Sequence, residues 1–321
     1  MGYEVMVYNL DLQARAERLA RQEPEALRRD ALRWARDVDG DGLWSLMEAF
    51  LVMRGGRGAR VSARTLSAYR IYLTDLLTWA RAHGLSLLRP RPNDGFAYIR
   101  HLEGLGLAPS TVRGRLAAGR ALFAALRWAD ATDAAPFTDV RAASDPVPAL
   151  EKRKPYQDRD VQALLDAADE QERVLVLLGS DCGLRATEMT TLIRKDVHLG
   201  GDAPYLVVTG KREKRQRVPL SRRAEQALAQ WIDMTPTYGP HVLTLRNRKG
   251  VRDRLVKLCA AAGVTYDGRQ VHGLRHSAGT RVYKQTKDVL AVRDHLRHAS
   301  IVTSETYVNY AREGDKAVNR D

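Results

Sequence analysis

The sequence predicts a two-domain, mainly α-helical protein with a small β-sheet or hairpin, an α+β arrangement in which helix dominates. Its 321 residues exceed one typical domain. Amphipathic helical patterns fill the first part of the chain. Two β-rich runs, Tyr205–Thr209 and Arg217–Leu220, flank a short basic segment, and this pattern is typical of a hairpin with a polar tip. Together these observations favour helical packing around a minor β element.

A change of composition predicts where the two domains meet. Residues 136–155 contain four prolines and no apolar period, which favours a linker with its boundary near Leu150. The predicted organisation is an N-terminal helical arm over 1–40, a helical domain over 41–135, the linker, and a second domain over 156–321.

Helix signals in the first domain predict a small bundle. Leu12 to Val38 has only a loose apolar stripe, so a flexible arm and a packed helix both stay open. Further helices are expected to begin near Gly42, after Ser62 as N-cap, at Asn93 or Asp94, and at Pro109, with Gly84 ending the second of them. In the third of these helices, Phe96, Ile99 and Leu102 are predicted to face inward.

Charge indicates a polyanionic partner. The chain has 52 Lys and Arg against 39 Asp and Glu, a formal net charge of +13. Arginines cluster around a glycine-rich turn and again in the helix that begins at Pro109, and such clusters suit phosphate contacts. The candidate residues are Arg57, Arg60, Arg64, Arg113, Arg115 and Arg120. The alternative for any single arginine is an ordinary solvated helix face.

Cysteine usage and the amino terminus suggest the compartment. Cys182 and Cys259 lie far apart without metal-like spacing, which predicts no disulfide framework and no zinc site. The sequence also has no carboxylate cluster and no Walker loop, so we expect no metal and no cofactor. The first residues lack a charged leader followed by an apolar core, and no apolar run approaches the length of a membrane span. We expect a soluble, cytoplasmic, nucleoid-associated protein without a membrane partner.

The segment from Val271 to Tyr310 contains the most informative polar pattern. His272 and Arg275 are three residues apart and would share a helix face, while His298 and Tyr307 follow across a predicted turn. Each residue alone has an ordinary structural explanation, but together they can bind, protonate and attack a phosphodiester.

An isolated arginine adds to this pattern. Arg185 follows a buried apolar run and a glycine, an unusual place for a solubilising charge. A salt bridge to Glu188, one helical turn on, is an equally weighted alternative.

Order and spacing of these motifs resemble the tyrosine recombinases, the family of phage integrases and Xer-type resolvases. The motifs are Cys182-Gly183-Leu184-Arg185, Gly210-Lys211 before Arg217-Val218-Pro219-Leu220, His272-x-x-Arg275-His276-Ser277, and Leu296-x-His298 with Tyr307 nine residues on. The resemblance implies a helical core DNA-binding domain over 41–135 and a catalytic domain over 156–321, closing as a C-clamp around double-stranded DNA. It also implies site-specific recombination by a homo-tetramer on paired sites, through a 3′-phosphotyrosyl intermediate and a Holliday junction.

The resemblance also implies a role for each motif residue. Arg185 and Arg275 would hold the phosphate, His272 would act as acid and base, and His298 would donate a hydrogen bond. Lys211 would protonate the leaving oxygen, with Arg212 and Lys214 beside it at the hairpin tip as DNA contacts. Tyr307 would be the nucleophile.

Three departures from the family pattern leave alternatives open. Arg297 stands where the family usually has glycine before the second histidine, which predicts either an altered turn or a phosphate contact. Arg212 replaces a frequent glycine after the hairpin lysine, so Lys214 is a rival for Lys211. Tyr310 lies one helical turn beyond Tyr307 and is an alternative nucleophile.

Three functional points also stay open. A type IB topoisomerase shares the tyrosine chemistry, and a non-cutting DNA-binding regulator could use the same scaffold. A related recombinase or an accessory protein could act as a further partner.

Overall fold

The computed structural model describes residues 3–147, 154–210, 214–236 and 239–298, with 300, 301, 304 and 307. The chain forms two compact units, Met1–Pro146 and Val147–Asp321. The predicted boundary residue Leu150 lies outside the described residues.

The first unit is a helical bundle. Its helices are α1 (Tyr3–Ala20), α2 (Pro24–Asp37), α3 (Gly40–Met53), α4 (Ala63–His83), α5 (Asp94–Gly104) and α6 (Pro109–Trp128). Helix α3 packs against α1, α2 and α6, and α4 packs against α6. Leu12 of α1 and Ala31 of α2 are fully buried, so the first two helices contribute to the hydrophobic core of this unit.

Local capping explains the helix bounds in this unit. The Ser62 hydroxyl accepts a hydrogen bond from the Thr65 amide at 3.2 Å, and Gly84 ends α4 with φ of 65°. Both predicted ends of α4 are therefore confirmed.

The inward orientation predicted for Phe96 in α5 is wrong. Its side chain is 42% exposed, whereas Tyr98, Ile99 and Leu102 are buried. The buried face of α5 runs through Gly95, Tyr98, Ile99 and Leu102, at the i, i+3, i+4, i+7 spacing. Phe96 is one residue removed from this stripe and projects about 100° away from it.

The first residues of the predicted linker pack with the first unit. Phe137 and Val140 are buried in its core. The Arg120 guanidinium donates hydrogen bonds to the carbonyl oxygens of Phe137 at 3.0 Å and Val140 at 2.7 Å. Because these contacts hold the chain against α6, residues 137–140 are an extension of the bundle.

The second unit combines helices with a three-stranded antiparallel sheet in the order β1-β2-β3. Its elements are α7 (Asp158–Ala167), α8 (Glu170–Ser180), α9 (Ala186–Thr191), β1 (Val197–His198), β2 (Tyr205–Thr209), β3 (Arg215–Pro219), α10 (Arg222–Met234), α11 (Arg248–Ala261), α12 (Gln270–Thr286) and α13 (Val289–Leu296). Strands β2 and β3 pair from Tyr205 opposite Pro219 to Thr209 opposite Arg215, which confirms the hairpin. Strand β1 has two residues, too few for a recognisable pattern.

Helix α8 lies at the centre of the second unit, against α7, α10 and α12. A Cβ atom on Gly179 of α8 would lie 2.6 Å from the Cβ atom of Leu274 on α12. Glycine therefore permits the close approach of the two helices, and this contact fixes the position of α12. None of the helices in the described ranges combines the length and apolar character that a membrane crossing requires.

Candidate active site

Helix α12 provides the base of the site. His272 is half-buried near its start, and Arg275, one turn on, is 1% exposed. The Ser277 hydroxyl donates to the Tyr156 carbonyl at 2.7 Å, which anchors this part of α12 to the chain before α7. The two predicted residues on α12 are thus held on a rigid element.

A glycine turn brings α12 into contact with the loop before α9. Gly183 has φ of 61°, and a Cβ atom there would lie 2.6 Å from Cδ2 of Leu296. Its carbonyl oxygen accepts a hydrogen bond from Nη1 of Arg275, while the Leu296 carbonyl accepts from Nη2. The Arg275 guanidinium therefore joins the Gly183 turn to the end of α13.

Arg185 occupies the N-cap position of α9 and is paired with Glu188. The Arg185 amide donates to Oε2 of Glu188 at 2.9 Å, and Nη1 donates to Oε1 at 2.7 Å. The salt bridge considered as an alternative is present. The Arg185 side chain is nevertheless 33% exposed, so donors of its guanidinium face solvent and can reach a ligand.

Arg297 contributes a third guanidinium. It ends α13 with φ of 57°, so the chain keeps the left-handed turn that a glycine would adopt. Its side chain is 4% exposed and donates to Oε2 of Glu188 at 2.9 Å. Nη2 also reaches the Gly183 carbonyl at 3.3 Å. The backbone here therefore has a left-handed conformation that also suits glycine, and the side chain folds back into the protein.

The cluster of Arg185, Arg275, Arg297 and Glu188 has an excess of positive charge. The Nε atoms of Arg275 and Arg297 are buried and have no acceptor among the described residues. Burial, followed by the proximity of Arg185 and Arg297, lowers the pKa of Arg275 to about 9. Since buried cations without full compensation are unfavourable, an anion bound here would relieve the cost. The electrostatics therefore suit a phosphate.

His298 lies beside this cluster in its neutral form. Its Nδ1 atom is 2.8 Å from the Ser304 hydroxyl oxygen. Burial, and then the charges of Arg275 and Arg185, lower the pKa of His298 to about 4. The ring is therefore uncharged near neutral pH, with a single N–H to donate.

Tyr307 is enclosed, with 2% exposure, in a small cluster with Ala278, Val292 and Leu296. A Cβ atom on Gly279 would lie 2.5 Å from Cε1 of Tyr307, so this glycine of α12 makes room for the ring. The Tyr307 ring centroid is 6.0 Å from that of His298. The enclosure gives the tyrosine a defined position before any ligand binds.

His276 links the remaining groups. Its ring centroid lies 4.6 Å from that of His272 and 5.5 Å from that of Tyr307. The structure thus brings together five of the predicted site residues, namely Arg185, His272, Arg275, His298 and Tyr307. Lys211, Arg212 and the rival Tyr310 lie outside the described residues.

Sequence reasoning assigned no role to three supporting residues. His276 follows His272 by four positions, and Ser304 precedes Tyr307 by three, so helical spacing was an available signal for both. Asp181 gave no signal. It accepts hydrogen bonds from Ser221 at 2.6 Å and Arg281 at 2.8 Å, and so connects the end of α8 to α10 and α12.

The buried carboxylate of Asp181 is ionised. Burial alone would raise its pKa, but hydrogen bonds from Arg223, Ser221 and Arg281 outweigh that effect and bring the pKa to about 2. Elsewhere in the described ranges, no group of three or more His, Cys, Asp or Glu side chains is arranged to hold a metal ion.

The predicted DNA-contacting arginines fall into two groups. Arg57 and Arg60 lie exposed in the turn between α3 and α4, and Arg64 and Arg113 are exposed on α4 and α6. Lys214 is exposed at the start of the returning strand of the hairpin. These side chains are available to a ligand.

Arg115 and Arg120 are engaged within the first unit. The Arg115 guanidinium pairs with Asp75 at 2.9 Å and lies 5.7 Å from the ring centroid of Tyr72. Arg120 holds the carbonyls of residues 137–140 against α6. Both side chains therefore have structural contacts.

A cluster of arginines with net positive charge, beside an enclosed tyrosine and the neutral His298, suits an enzyme that transfers a phosphodiester through a tyrosine. Comparison with known proteins agrees. Residues 156–313 match the Phage integrase family, and residues 57–130 match the Phage integrase, N-terminal SAM-like domain.

Individual relatives extend the likeness over most of the chain. Tyrosine recombinase XerC of Erythrobacter litoralis is 31% identical over 292 residues, covering 82% of this chain and 87% of that protein. Tyrosine recombinase XerC 1 of Ralstonia nicotianae is 28% identical over 284 residues, covering 78% and 84%. The chain belongs to the tyrosine recombinase family.

Solved structures share the fold. XerH site-specific recombinase in a post-cleavage complex with palindromic difH matches with a TM-score of 0.63 at 17% identity, covering 88% of this chain and 84% of that one. A lambda integrase tetramer bound to a Holliday junction matches with a TM-score of 0.65 at 16% identity, covering 83% and 76%. The protein is a DNA strand-transferring enzyme of site-specific recombination, and the topoisomerase and regulator alternatives are not favoured.

Proposed function

We propose that this protein cuts and rejoins duplex DNA with Tyr307 as the nucleophile and Arg185, Arg275, His272, His298 and Lys211 as the assisting residues. The observation that carries this proposal is the guanidinium cluster around Glu188, set beside the enclosed Tyr307 ring and the neutral His298.

Arg275 and Arg185, the two arginines of the family motifs, contribute differently to binding the scissile phosphate. Arg275 is fixed by two carbonyl oxygens, so its charge is preorganised and needs no reorientation when the phosphate enters. Arg185 is partly exposed and presents its remaining donors to a non-bridging oxygen. Negative charge builds on these oxygens as the nucleophile adds, and both arginines stabilise it.

Proton transfer accompanies the exchange of one ester bond for another. The phenol oxygen of Tyr307 forms a bond to phosphorus, and its proton passes to the half-buried His272. The bond to the 5′-oxygen breaks, and that oxygen takes a proton from Lys211. A phosphodiester replaces a phosphodiester, so reversal needs no energy source.

We assign the Ser304 hydroxyl as the donor in its hydrogen bond with Nδ1 of His298. When the Ser304 hydroxyl donates to Nδ1 of His298, the neutral ring carries its proton on Nε2. That N–H can donate to a phosphate oxygen at neutral pH, because the lowered pKa keeps the ring neutral. His298 therefore acts as a hydrogen-bond donor.

DNA contacts outside the active site are assigned to the exposed basic residues. Arg57, Arg60, Arg64 and Arg113 contact backbone phosphates, and Arg212 and Lys214 do so at the hairpin. Arg115 and Arg120 support the bundle that presents them. The active assembly is a homo-tetramer on two paired sites in the nucleoid. The tetramer seen for lambda integrase on a Holliday junction supports this stoichiometry.

Covalent capture tests the proposal without knowledge of the target. Wild type, Tyr307→Phe and Tyr310→Phe are mixed with sheared genomic DNA of the source organism and denatured in detergent, and the attached fragments are sequenced. We expect adducts focused on one short sequence for wild type and Tyr310→Phe, and none for Tyr307→Phe. Adducts with Tyr307→Phe would disprove the nucleophile, and scattered adducts would argue against site-specific exchange.

A further inference from the structure

The proposed reaction mechanism assigns no role to Arg297. It stands where the tyrosine recombinases usually have glycine, yet it points inward and pairs with the same carboxylate as Arg185. We propose that Arg297 is a positioning residue that offsets the charge of Glu188, so that Arg185 keeps its full attraction for the scissile phosphate in the transition state. The inference rests on the proposed function.

Glu188 is shared between the two arginines. Its Oε1 atom accepts from Nη1 of Arg185 at 2.7 Å, and its Oε2 atom accepts from Nη2 of Arg297 at 2.9 Å. The Glu188 side chain is 4% exposed, so water contributes little to screening its charge. Without Arg297, the Glu188 carboxylate would be paired with Arg185 alone among the described residues.

A count of formal charges shows what Arg297 changes. Arg185, Arg275 and Arg297 contribute three positive charges and Glu188 one negative charge, so these four residues carry a net charge of +2. With glycine at 297 the same set would carry +1. A phosphodiester has one negative charge and gains more at its oxygens when a nucleophile adds. The extra positive charge therefore interacts more strongly with the transition state than with bound DNA, and raises the rate more than the affinity.

Arg297 acts through its neighbours, because its terminal nitrogens are occupied. Its side chain is 4% exposed and is held by Glu188, by the Gly183 carbonyl at 3.3 Å and by the Cys182 carbonyl at 3.4 Å. The contact with Gly183 also places it on the turn that holds Arg275. A direct phosphate contact would require this set of contacts to break.

The left-handed backbone at 297 makes a clean substitution available. Glycine adopts φ of 57° without strain, so Arg297→Gly removes the charge and keeps the turn. Glu188→Gln keeps an oxygen for the Arg185 amide and removes the negative charge. In the double variant the four positions again sum to +2, as in wild type.

These variants are compared by their rates of covalent adduct formation on sheared genomic DNA. Their affinity for the same DNA is measured by filter binding. Arg297→Gly is expected to slow adduct formation roughly 10- to 100-fold with affinity within about threefold. The double variant is expected to recover most of the lost rate. The matched control is Arg293→Ala, a partly exposed arginine of the same helix, which should stay near wild type.

Two outcomes of the rate and affinity measurements would overturn the proposal. One is a double variant as slow as Arg297→Gly, which would show that the charge of Glu188 is not what Arg297 offsets. The other is a loss of affinity as large as the loss of rate, which would make Arg297 an ordinary binding residue. Thermal unfolding of each variant identifies a simple loss of folding.

A DNA-free measurement separates failure of this inference from failure of the proposed function. The positive groups that lower the pKa of His298 after burial are Arg275, Arg185, His272 and Arg297. Removing the charge of Arg297 should therefore raise the pKa of His298, as followed by NMR titration, whereas Arg293→Ala should not. An unchanged pKa in Arg297→Gly contradicts the proposal whatever the rates are. Adducts that persist in Tyr307→Phe contradict only the assigned nucleophile.

Discussion

At the scale of single residues, the site depends on two glycines as much as on its charged groups. Gly183 allows its carbonyl to face Arg275, and Gly279 leaves the space that the Tyr307 ring fills. Neither glycine carries chemistry, but each decides where a reactive group lies. Arg185 has two roles, because it is the N-cap of α9 and also a partly exposed cation.

Gly279→Ala is expected to lower covalent adduct formation about 10²-fold or more, because a displacement of the nucleophile by about 1 Å is costly to rate. The new Cβ atom would lie 2.5 Å from Cε1 of Tyr307, which forces the ring to move. Time courses of adduct formation and filter binding check this expectation.

The matched control is Gly104→Ala, since a Cβ atom on this α5 glycine meets no atom within 4 Å. It should leave the rate unchanged. A normal rate in Gly279→Ala, with unaltered folding, would mean that Tyr307 attacks from a different position.

At the scale of elements, strands β2 and β3 pair on either side of the basic sequence segment 211–213. The Gly210 amide donates to the Lys214 carbonyl at 2.9 Å, next to the Thr209–Arg215 pair. Lys214 thus lies next to the paired strands, while Lys211 lies outside the described residues. We propose Lys211 as the lysine that reaches the leaving oxygen, as the family motif implies.

Lys211→Ala is expected to slow cleavage about 10²- to 10⁴-fold, the usual effect of removing a general acid. A DNA strand with sulfur in place of the 5′-bridging oxygen should restore most of the rate, since a thiolate leaves without a proton. Lys214→Ala should change the rate only a few-fold on either substrate. The assay uses the sequence recovered by covalent capture, and rescue of Lys214→Ala instead would reverse the assignment.

At the scale of the whole molecule, the formal net charge of +13 makes salt-dependent DNA binding a direct expectation. Some of the positive side chains form ion pairs within the protein, as Arg115 does with Asp75. The exposed arginines around the α3–α4 turn remain available for phosphates.

Replacing Arg57, Arg60 and Arg64 with glutamine should lower the slope of log affinity against log salt by about 2 to 3, or about 0.9 for each phosphate that is no longer neutralised. Filter binding across a range of salt concentrations measures the slope. The control replaces three exposed arginines of α1 and α2, namely Arg18, Arg29 and Arg33. Equal slopes for the two triple variants would show that the turn is not a phosphate-binding surface.

Much of the fold was predictable because its signals are local. The bounds of α4 follow from the Ser62 cap and Gly84, and the hairpin follows from two β-rich runs around a polar tip. Phe96 was assigned wrongly because Gly95 belongs to the buried face of α5. Glycine has no side chain, so the spacing of hydrophobic residues does not show that this position is buried.

The sequence by itself determined the fold class, the family motifs and the identity of the residues that can attack and bind a phosphodiester, because these depend on residue type and spacing. Only the tertiary structure decided that Arg185 and Arg297 share Glu188 next to Arg275, and that His298 is neutral beside them. These properties depend on burial and on distances between residues that are far apart along the chain, such as Arg297 and Glu188, which are 109 positions apart. Electrostatic interactions in a buried site are set by that geometry, and the order of residues along the chain does not encode it directly.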